Sequence, residues 1–434
     1  MITSKSRLRA LSALLTQIHK SLGLEIGFRM WDGSSIPADW PANALALHLA
    51  DEGAFAGLLK KPNFVTVANL WVAKRLDILN GSIFDLVAKR PKTRSRELWK
   101  SISKLRTLRA ALPYLLVSRG GPWPLEAIDQ DKVSDGSVGQ NAKNISYHYD
   151  VSNAFYELWL DKEMLYTCAY CHDWDDSLEK MQMQKLEMAC RRLRLKPGES
   201  FLDLGCGWGA LAIYAAQNFG VTAYAVTLSE QQVIYGNEKI KRLGLEGRVT
   251  IELKDALQVD GAARFDKASS LGLQEHIGLV NHARFFSNIH RLLKPGGLYL
   301  NHAITRPGKS EAARTGRARP EFEALTRYIF PGGDLDYIGR TITNLELAGF
   351  EIHDVEAWRE HYQRTCRLWH DRLLANYEAS CKEVGEVKTR LWLAYLAACS
   401  ITFERNNCGL YQTLCSKRVR GPSGVPPTRA DLYR

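Results

Sequence analysis

The stretch Phe201-Leu202-Asp203-Leu204-Gly205-Cys206-Gly207-Trp208-Gly209 constrains the fold of this chain more than any other. Its apolar start reads as a buried strand that ends in an acid and runs into glycines at alternate positions. Ala210 to Phe219 then has the pattern of a helix. Glycines let a backbone turn sharply and let a ligand lie against it without Cβ clashes. In an open α/β sheet, ligands bind beyond the carboxyl ends of the strands, where this loop falls. The spacing is GxGxG, unlike GxGxxG, and no Lys-Ser/Thr pair follows to handle phosphates and magnesium. A nucleoside ligand without phosphates is therefore preferred over a dinucleotide or triphosphate.

Strand and helix signals alternate around that motif. Leu178 to Leu195 has helical periodicity, stopped by Lys196-Pro197-Gly198. Strands are expected at Ser200–Leu204, Val221–Thr227, Val249–Leu253, Phe265–Ser270 and Gly297–His302. Helices are expected at Ala210–Phe219, Glu230–Leu243 and Phe285–Leu293. Such alternation predicts an α/β fold with a doubly wound, mainly parallel sheet. The glycine loop framed by strand, acid and helix makes that sheet similar to the Rossmann-like fold of class I methyltransferases. At 434 residues the chain is too long for one ordinary domain. We expect a small α+β N-terminal domain over residues 1–90 and a basic helical segment with a linker over 91–145. The main domain would span 146–418, followed by a flexible tail at 419–434.

Lys and Arg outnumber Asp and Glu by 58 to 47, a net charge of +11. That excess suits an acidic partner without choosing between nucleic acid and an anionic membrane. It concentrates between Lys89 and Arg109, where Glu97 is the only acid and Trp99 and several leucines intervene. A headgroup-docking surface and a solvated helix face both fit this stretch. No apolar run approaches the roughly 20 residues needed to span a bilayer. The spacing of Leu8, Leu11, Leu15, Ile18 and Leu22 predicts a helix, ordinarily packed or lying on a membrane, without a secretory cleavage site. The 9 cysteines have no framework spacing, which suits reduced thiols in a cytoplasm. Cys168 and Cys171 form an isolated CxxC with no second pair, so no metal site is expected.

Several residues carry candidate chemistry. Thr227, Leu228 and Gln232 follow the second strand of the predicted sheet, suited to the nucleoside part of a ligand. Ser229 reads equally as a helix N-cap, with Gln232 completing a capping box. Asp255 follows the third strand, within reach of an adenine amine. Polar aromatics precede the glycine motif at Tyr147-His148-Tyr149-Asp150 and Tyr166-Thr167-Cys168-Ala169-Tyr170, suited to an apolar acceptor pocket or to core filling. Glu275-His276 and His302 sit at the carboxyl edge of later strands.

Read in order, these segments resemble the cyclopropane-fatty-acyl-phospholipid synthase family, including the mycolic acid cyclopropane synthases. The match also includes Asn153, Glu275-His276-Ile277-Gly278, Leu300-Asn301-His302-Ala303-Ile304, Tyr328-Ile329-Phe330-Pro331-Gly332-Gly333 and Gly409-Leu410-Tyr411-Gln412. Asp32-Gly33-Ser34 and Arg75-Leu76-Asp77-Ile78 mark the family's small N-terminal lipid-associated domain. The resemblance implies S-adenosylmethionine as methyl donor and the cis double bond of a phospholipid acyl chain as acceptor. The alkene would take the methyl, and bound bicarbonate would deprotonate the resulting carbocation as the ring closes. It implies a bicarbonate pocket of Cys168, Glu275, His302, Ile304 and Tyr362, with Cys168, Glu275, His302 and Tyr362 catalytic. The donor site it implies contains Tyr166, Thr167, Asp203, Gly205, Gly207, Thr227, Leu228, Gln232 and Asp255. Tyr147, Tyr149, Tyr166 and Tyr170 would offer π faces to the cation.

Three positions depart from the family pattern. Gln274 replaces a large aromatic, Ala154 stands where an acid is usual, and Cys171 where an aromatic is common. These changes bear on the product: proton loss elsewhere gives a methylene or methyl-branched chain. A non-catalytic lipid-binding paralogue is the alternative from another class. The expected partner is an unsaturated phospholipid in an anionic membrane, met by a cytoplasmic, peripherally attached enzyme. Nucleic acid is not expected, because Leu271-Gly272-Leu273-Gln274 stands where an Asn/Asp-Pro-Pro-Tyr motif would be. A homodimer is compatible with the reading.

Overall fold

The protein is described here by a computed structural model that covers residues 3–90, 104–127, 151–308 and 335–433. Tyr147, His148, Tyr149 and Asp150, the basic stretch at Arg94, Arg96, Trp99 and Lys100, and the Tyr328–Gly333 motif lie outside the described residues.

The chain forms two compact units, and their boundaries differ from those expected. The first unit runs to Gln130 and recruits Gly385–Ala397 from far along the chain. Trp71 explains the recruitment: its indole donates to the Arg390 carbonyl at 2.9 Å, and the Arg390 guanidinium lies 4.1 Å over its ring. The same guanidinium reaches Asp77 at 3.1 Å. No local sequence signal announces so distant a partner.

Within this unit, β1 (Gly27–Arg29), β2 (Ser35–Ile36), β3 (Ala46–Leu49) and β4 (Leu76–Leu79) form a sheet of order β2-β1-β3-β4. The turn between β1 and β2 is tied by Asp32, whose carboxylate accepts from the Ser34 amide and hydroxyl. The expected first helix, Ser4–Leu22, starts on a Thr3 cap and ends at a left-handed Gly23. It buries Leu8, Leu11 and Leu14, the first two in one cluster with Met30, Leu49 and Tyr114. Arg75 is almost wholly buried, forked onto the Asp51 carboxylate at 2.6 and 2.7 Å.

The second unit is the predicted doubly wound domain. Its seven strands are β5 (Ser200–Leu204), β6 (Thr222–Thr227), β7 (Val249–Leu253), β8 (Phe265–Leu271), β9 (Leu293–Thr305), β10 (Phe350–Ala357) and β11 (Gly409–Lys417). They lie in the order β10-β11-β9-β8-β5-β6-β7, with β11 antiparallel to both β9 and β10 and the rest parallel. Separate apolar clusters are built around Phe201, Leu211 and Leu193, and around Leu204, Phe285 and Ile289. A sheet buried on both faces needs nearly continuous apolar strands, which is why β5 was legible. β9 runs longer than expected at both ends: β11 pairs with it as far as Thr305, and its start at Leu293 pairs with Phe265 of β8.

The closing segment is not the loose tail expected. Leu432 is buried, Arg429 pairs with Asp354 at 2.5 Å, and Arg194 reaches Asp431 at 3.2 Å. Among the described residues no helix is long and apolar enough to cross a membrane.

Candidate active site

The carboxyl ends of β5, β6 and β8 and the loop after β7 open onto one cavity, and all nine expected donor-site residues line it. Asp203 ends β5, where its carboxylate accepts the Ser269 hydroxyl at 2.7 Å from β8. Burial pushes that carboxyl up to about 6. The turn is then fixed by the Gly205 and Cys206 amides, which both donate to the Val226 carbonyl at 3.0 Å. Gly207 has φ +56°, and a Cβ there would meet no protein atom within 4 Å. It lines the cavity, so its missing side chain leaves room for a ligand. Gly209 serves packing instead: a Cβ would fall 2.3 Å from Ile251.

Gln232 does not complete the expected capping box. Ser229 caps the helix by accepting from the Gln232 amide, but the Gln232 carboxamide turns to accept the Thr227 hydroxyl at 2.6 Å. The pair lines the cavity together. Asp255 accepts the Leu257 amide at 2.7 Å, and burial raises its carboxyl.

A smaller cavity adjoins the first, sharing Tyr166, Thr167, Gly272 and His276. Its other lining residues include Cys168, Glu275, His302, Ile304 and Tyr362, so all five expected anion-pocket residues meet although 194 positions separate Cys168 from Tyr362. Glu275 Oε1 accepts the Ile304 amide at 2.6 Å, while Oε2 is buried with no partner. Burial pushes this carboxyl up to about 7. Burial and the nearby Lys185 charge push His302 down to about 3, so its imidazole is neutral, and neither ring nitrogen has a partner. Burial raises the Cys168 thiol, which keeps it protonated. An unpaired buried polar group costs about 1–3 kcal/mol. Three such atoms on two residues that line one small cavity suit an occupant that both donates and accepts hydrogen bonds.

Two expectations are corrected. Tyr170 lines neither cavity; it stacks on His361 at 4.7 Å and against Trp358 at 4.6 Å. Gln274 also faces away: its carboxamide donates to Thr341 at 2.9 Å and accepts from Asn301 at 2.8 Å. A polar network therefore fills the space of an aromatic and buttresses the residues next to Glu275 and His302. Sequence reading missed Tyr156, Trp159, Trp208 and Trp369, which surround Tyr166 or one another at 5.1–5.7 Å between ring centroids. Trp208 is held by Asn153, which accepts its indole N–H at 2.8 Å. Lys185 was missed too, although a lysine at 182-185-189-192 spacing on a buried helix face was a readable anomaly.

Residues 137–413 match the family described as mycolic acid cyclopropane synthetase. The chain is 33% identical over 416 residues to a probable fatty acid methyltransferase of Pseudomonas putida, covering 96% of this chain and 98% of that one. It is 34% identical over 275 residues to the cyclopropane-fatty-acyl-phospholipid synthase of Escherichia coli K12, 63% of this chain and 67% of that one. The solved mycolic acid cyclopropane synthase CmaA1, complexed with SAH and CTAB, superposes with a TM-score of 0.60 at 31% identity. That match covers 64% of this chain and 98% of the other.

Proposed function

From the premise that this chain belongs to the mycolic acid cyclopropane synthetase family, as an S-adenosylmethionine-dependent methyltransferase acting on lipids, we propose that it converts the cis double bond of an unsaturated phospholipid acyl chain into a cyclopropane. The observation that carries this reading is the small cavity of Cys168, Glu275, His302, Ile304 and Tyr362 opening beside the donor cavity.

When bound, S-adenosylmethionine supplies a methyl group already activated by its sulfonium, and bicarbonate supplies a base. The chain's own residues hold and orient. Gly207 leaves space, the Thr227–Gln232 pair and Asp255 offer polar groups to the nucleoside, and Tyr166 walls both cavities. Bicarbonate would be held by the Glu275 Oε2 and His302 nitrogens that lack partners. A cation on the acyl chain needs a dry pocket with π faces near an anion. Tyr166, backed by Trp159 and Trp369, supports that role. Alignment of donor and alkene then accounts for most of the acceleration.

The lipid would be met at an anionic membrane. Leu105 and Leu108, within the basic stretch from Lys89 to Arg109, and Leu112, Leu115 and Leu116, just after it, are exposed. Apolar residues beside basic ones suit insertion between anionic headgroups. Reversing charge at Arg94, Arg96 and Lys100 should weaken binding to anionic vesicles; unchanged binding would remove this surface from the account.

Mass spectrometry of fatty acids from cells that express the protein and lack any related enzyme tests the reaction. Unsaturated chains should gain one CH2, with fragmentation diagnostic of a ring. A methyl- or methylene-branched product would make the chain a fatty-acid methyltransferase that does not close a ring. No mass gain on any unsaturated chain would refute both.

A further inference from the structure

Lys185 stands out among buried charges. Its side chain is wholly inaccessible on the helix Leu178–Leu193, and it lines the donor cavity. Its ammonium donates to the Thr167 hydroxyl at 2.8 Å, so the hydrogen bond it makes goes to a neutral group and not to a carboxylate. An ammonium has three protons to donate and is costly to bury, and Asp161 and Asp203 are the carboxylates that favour its charge. Thr167 is one of the four residues common to both cavities. Gln182, one turn earlier, holds the same segment by donating to the Leu165 and Thr167 carbonyls at 3.3 and 3.0 Å.

The charge reaches further than the hydrogen bond. It favours ionisation of Cys168 and disfavours protonation of His302, two walls of the small cavity. It also acts on Asp161 and Asp203, whose carboxyls burial raises. Burial is the main reason His302 is neutral; the Lys185 and Arg192 charges add to it, and the same positive field would favour an anion beside the ring. The geometry points to Lys185 as the positioning residue that makes the small cavity an anion site, held in place by Thr167. This inference rests on the bicarbonate reading above and adds the charge that reading lacks, since Glu275 alone would repel an anion once ionised.

The test measures methyl transfer to vesicles of unsaturated phospholipid in carbon dioxide-depleted buffer while bicarbonate is titrated back. Lys185→Gln keeps a polar side chain and removes the charge; it should raise the half-saturating bicarbonate concentration by about tenfold or more. Affinity for S-adenosylmethionine by calorimetry should change by about threefold at most, and Lys185→Arg should regain much of the bicarbonate response. Slower turnover at an unchanged half-saturating concentration would reduce Lys185 to a structural role and overturn the inference. Indifference of the wild-type enzyme to bicarbonate would instead sink the underlying reading, and the inference with it. If Lys185→Gln does not fold, the wild-type enzyme decides. Burial pushes Lys185 down to about 8, so the half-saturating concentration should rise as pH passes that value. Asp161, Asp203, Cys168 and His302 face the same ammonium, and Glu275 titrates lower, near 7. A flat profile through pH 8 overturns the inference.

Discussion

The donor cavity and the small cavity share a wall, yet they are built from different material. The first is mostly backbone and turn: glycines with positive φ, a strand-end carboxyl held by Ser269, and a helix start that follows directly. The second is built from side chains contributed by the segment before the helix Leu178–Leu193, the turn after β8, the end of β9, and the helix Arg359–Ala375. Binding a nucleoside needs shape, which a local turn provides. Removing a proton needs buried groups of tuned charge, which only tertiary structure can bring together.

Substitutions that separate the two cavities test this contrast. The largest effect should come from Glu275→Gln, which keeps an oxygen for the Ile304 amide and removes the ionisable carboxyl. Turnover should fall by about 10²–10⁴-fold. Calorimetry should find donor affinity nearly unchanged; a comparable loss of both would erase the distinction. The reverse separation should come from Gly207→Val. A branched side chain in the open space at φ +56° should weaken donor binding by about tenfold or more. Intact donor binding would mean that the glycine serves only the turn.

Glu275 also gives a stability effect with a definite sign. Burial raises its carboxyl from 4.5 to about 7, so the folded chain binds that proton more tightly than the unfolded one. Stability is then lost as pH rises between those two values. Glu275→Gln should therefore unfold later than the wild-type protein at pH 8, by about 1–3 kcal/mol, and show no advantage near pH 4. Thermal melts at both pH values check this, and a variant less stable at pH 8 would contradict it.

The smallest functional effect belongs to Gln274. Its bonds to Thr341 and Asn301 lie outside both cavities, so Gln274→Leu should cost about 1–3 kcal/mol of stability by stranding those partners. The lipid product should stay the same. A changed product ratio would return Gln274 to the chemistry.

Strands β5, β6 and β7 and the donor turn were legible because their apolar runs, glycines and polar helix starts are contiguous in sequence. Strands β10 and β11 were not, since β10 is largely half-buried without alternation and β11 enters antiparallel from the end of the chain. The small cavity was legible only through family resemblance, because no spacing relates Cys168 to Glu275, His302 and Tyr362. Gln274 misled because a sequence position says what precedes Glu275 but not which way its side chain turns. Lys185 was visible as a charge on an apolar helix face, and its meaning depended on which loop that face covers.

The most direct test of the two-cavity account supplies purified enzyme with S-adenosylmethionine deuterated in its methyl group and vesicles of cis-unsaturated phospholipid. The account predicts a cyclopropane that retains two of the three deuterons, the third having been removed, and no such product from Glu275→Gln. A product that keeps all three deuterons, or one formed equally well without the Glu275 carboxyl, would contradict it.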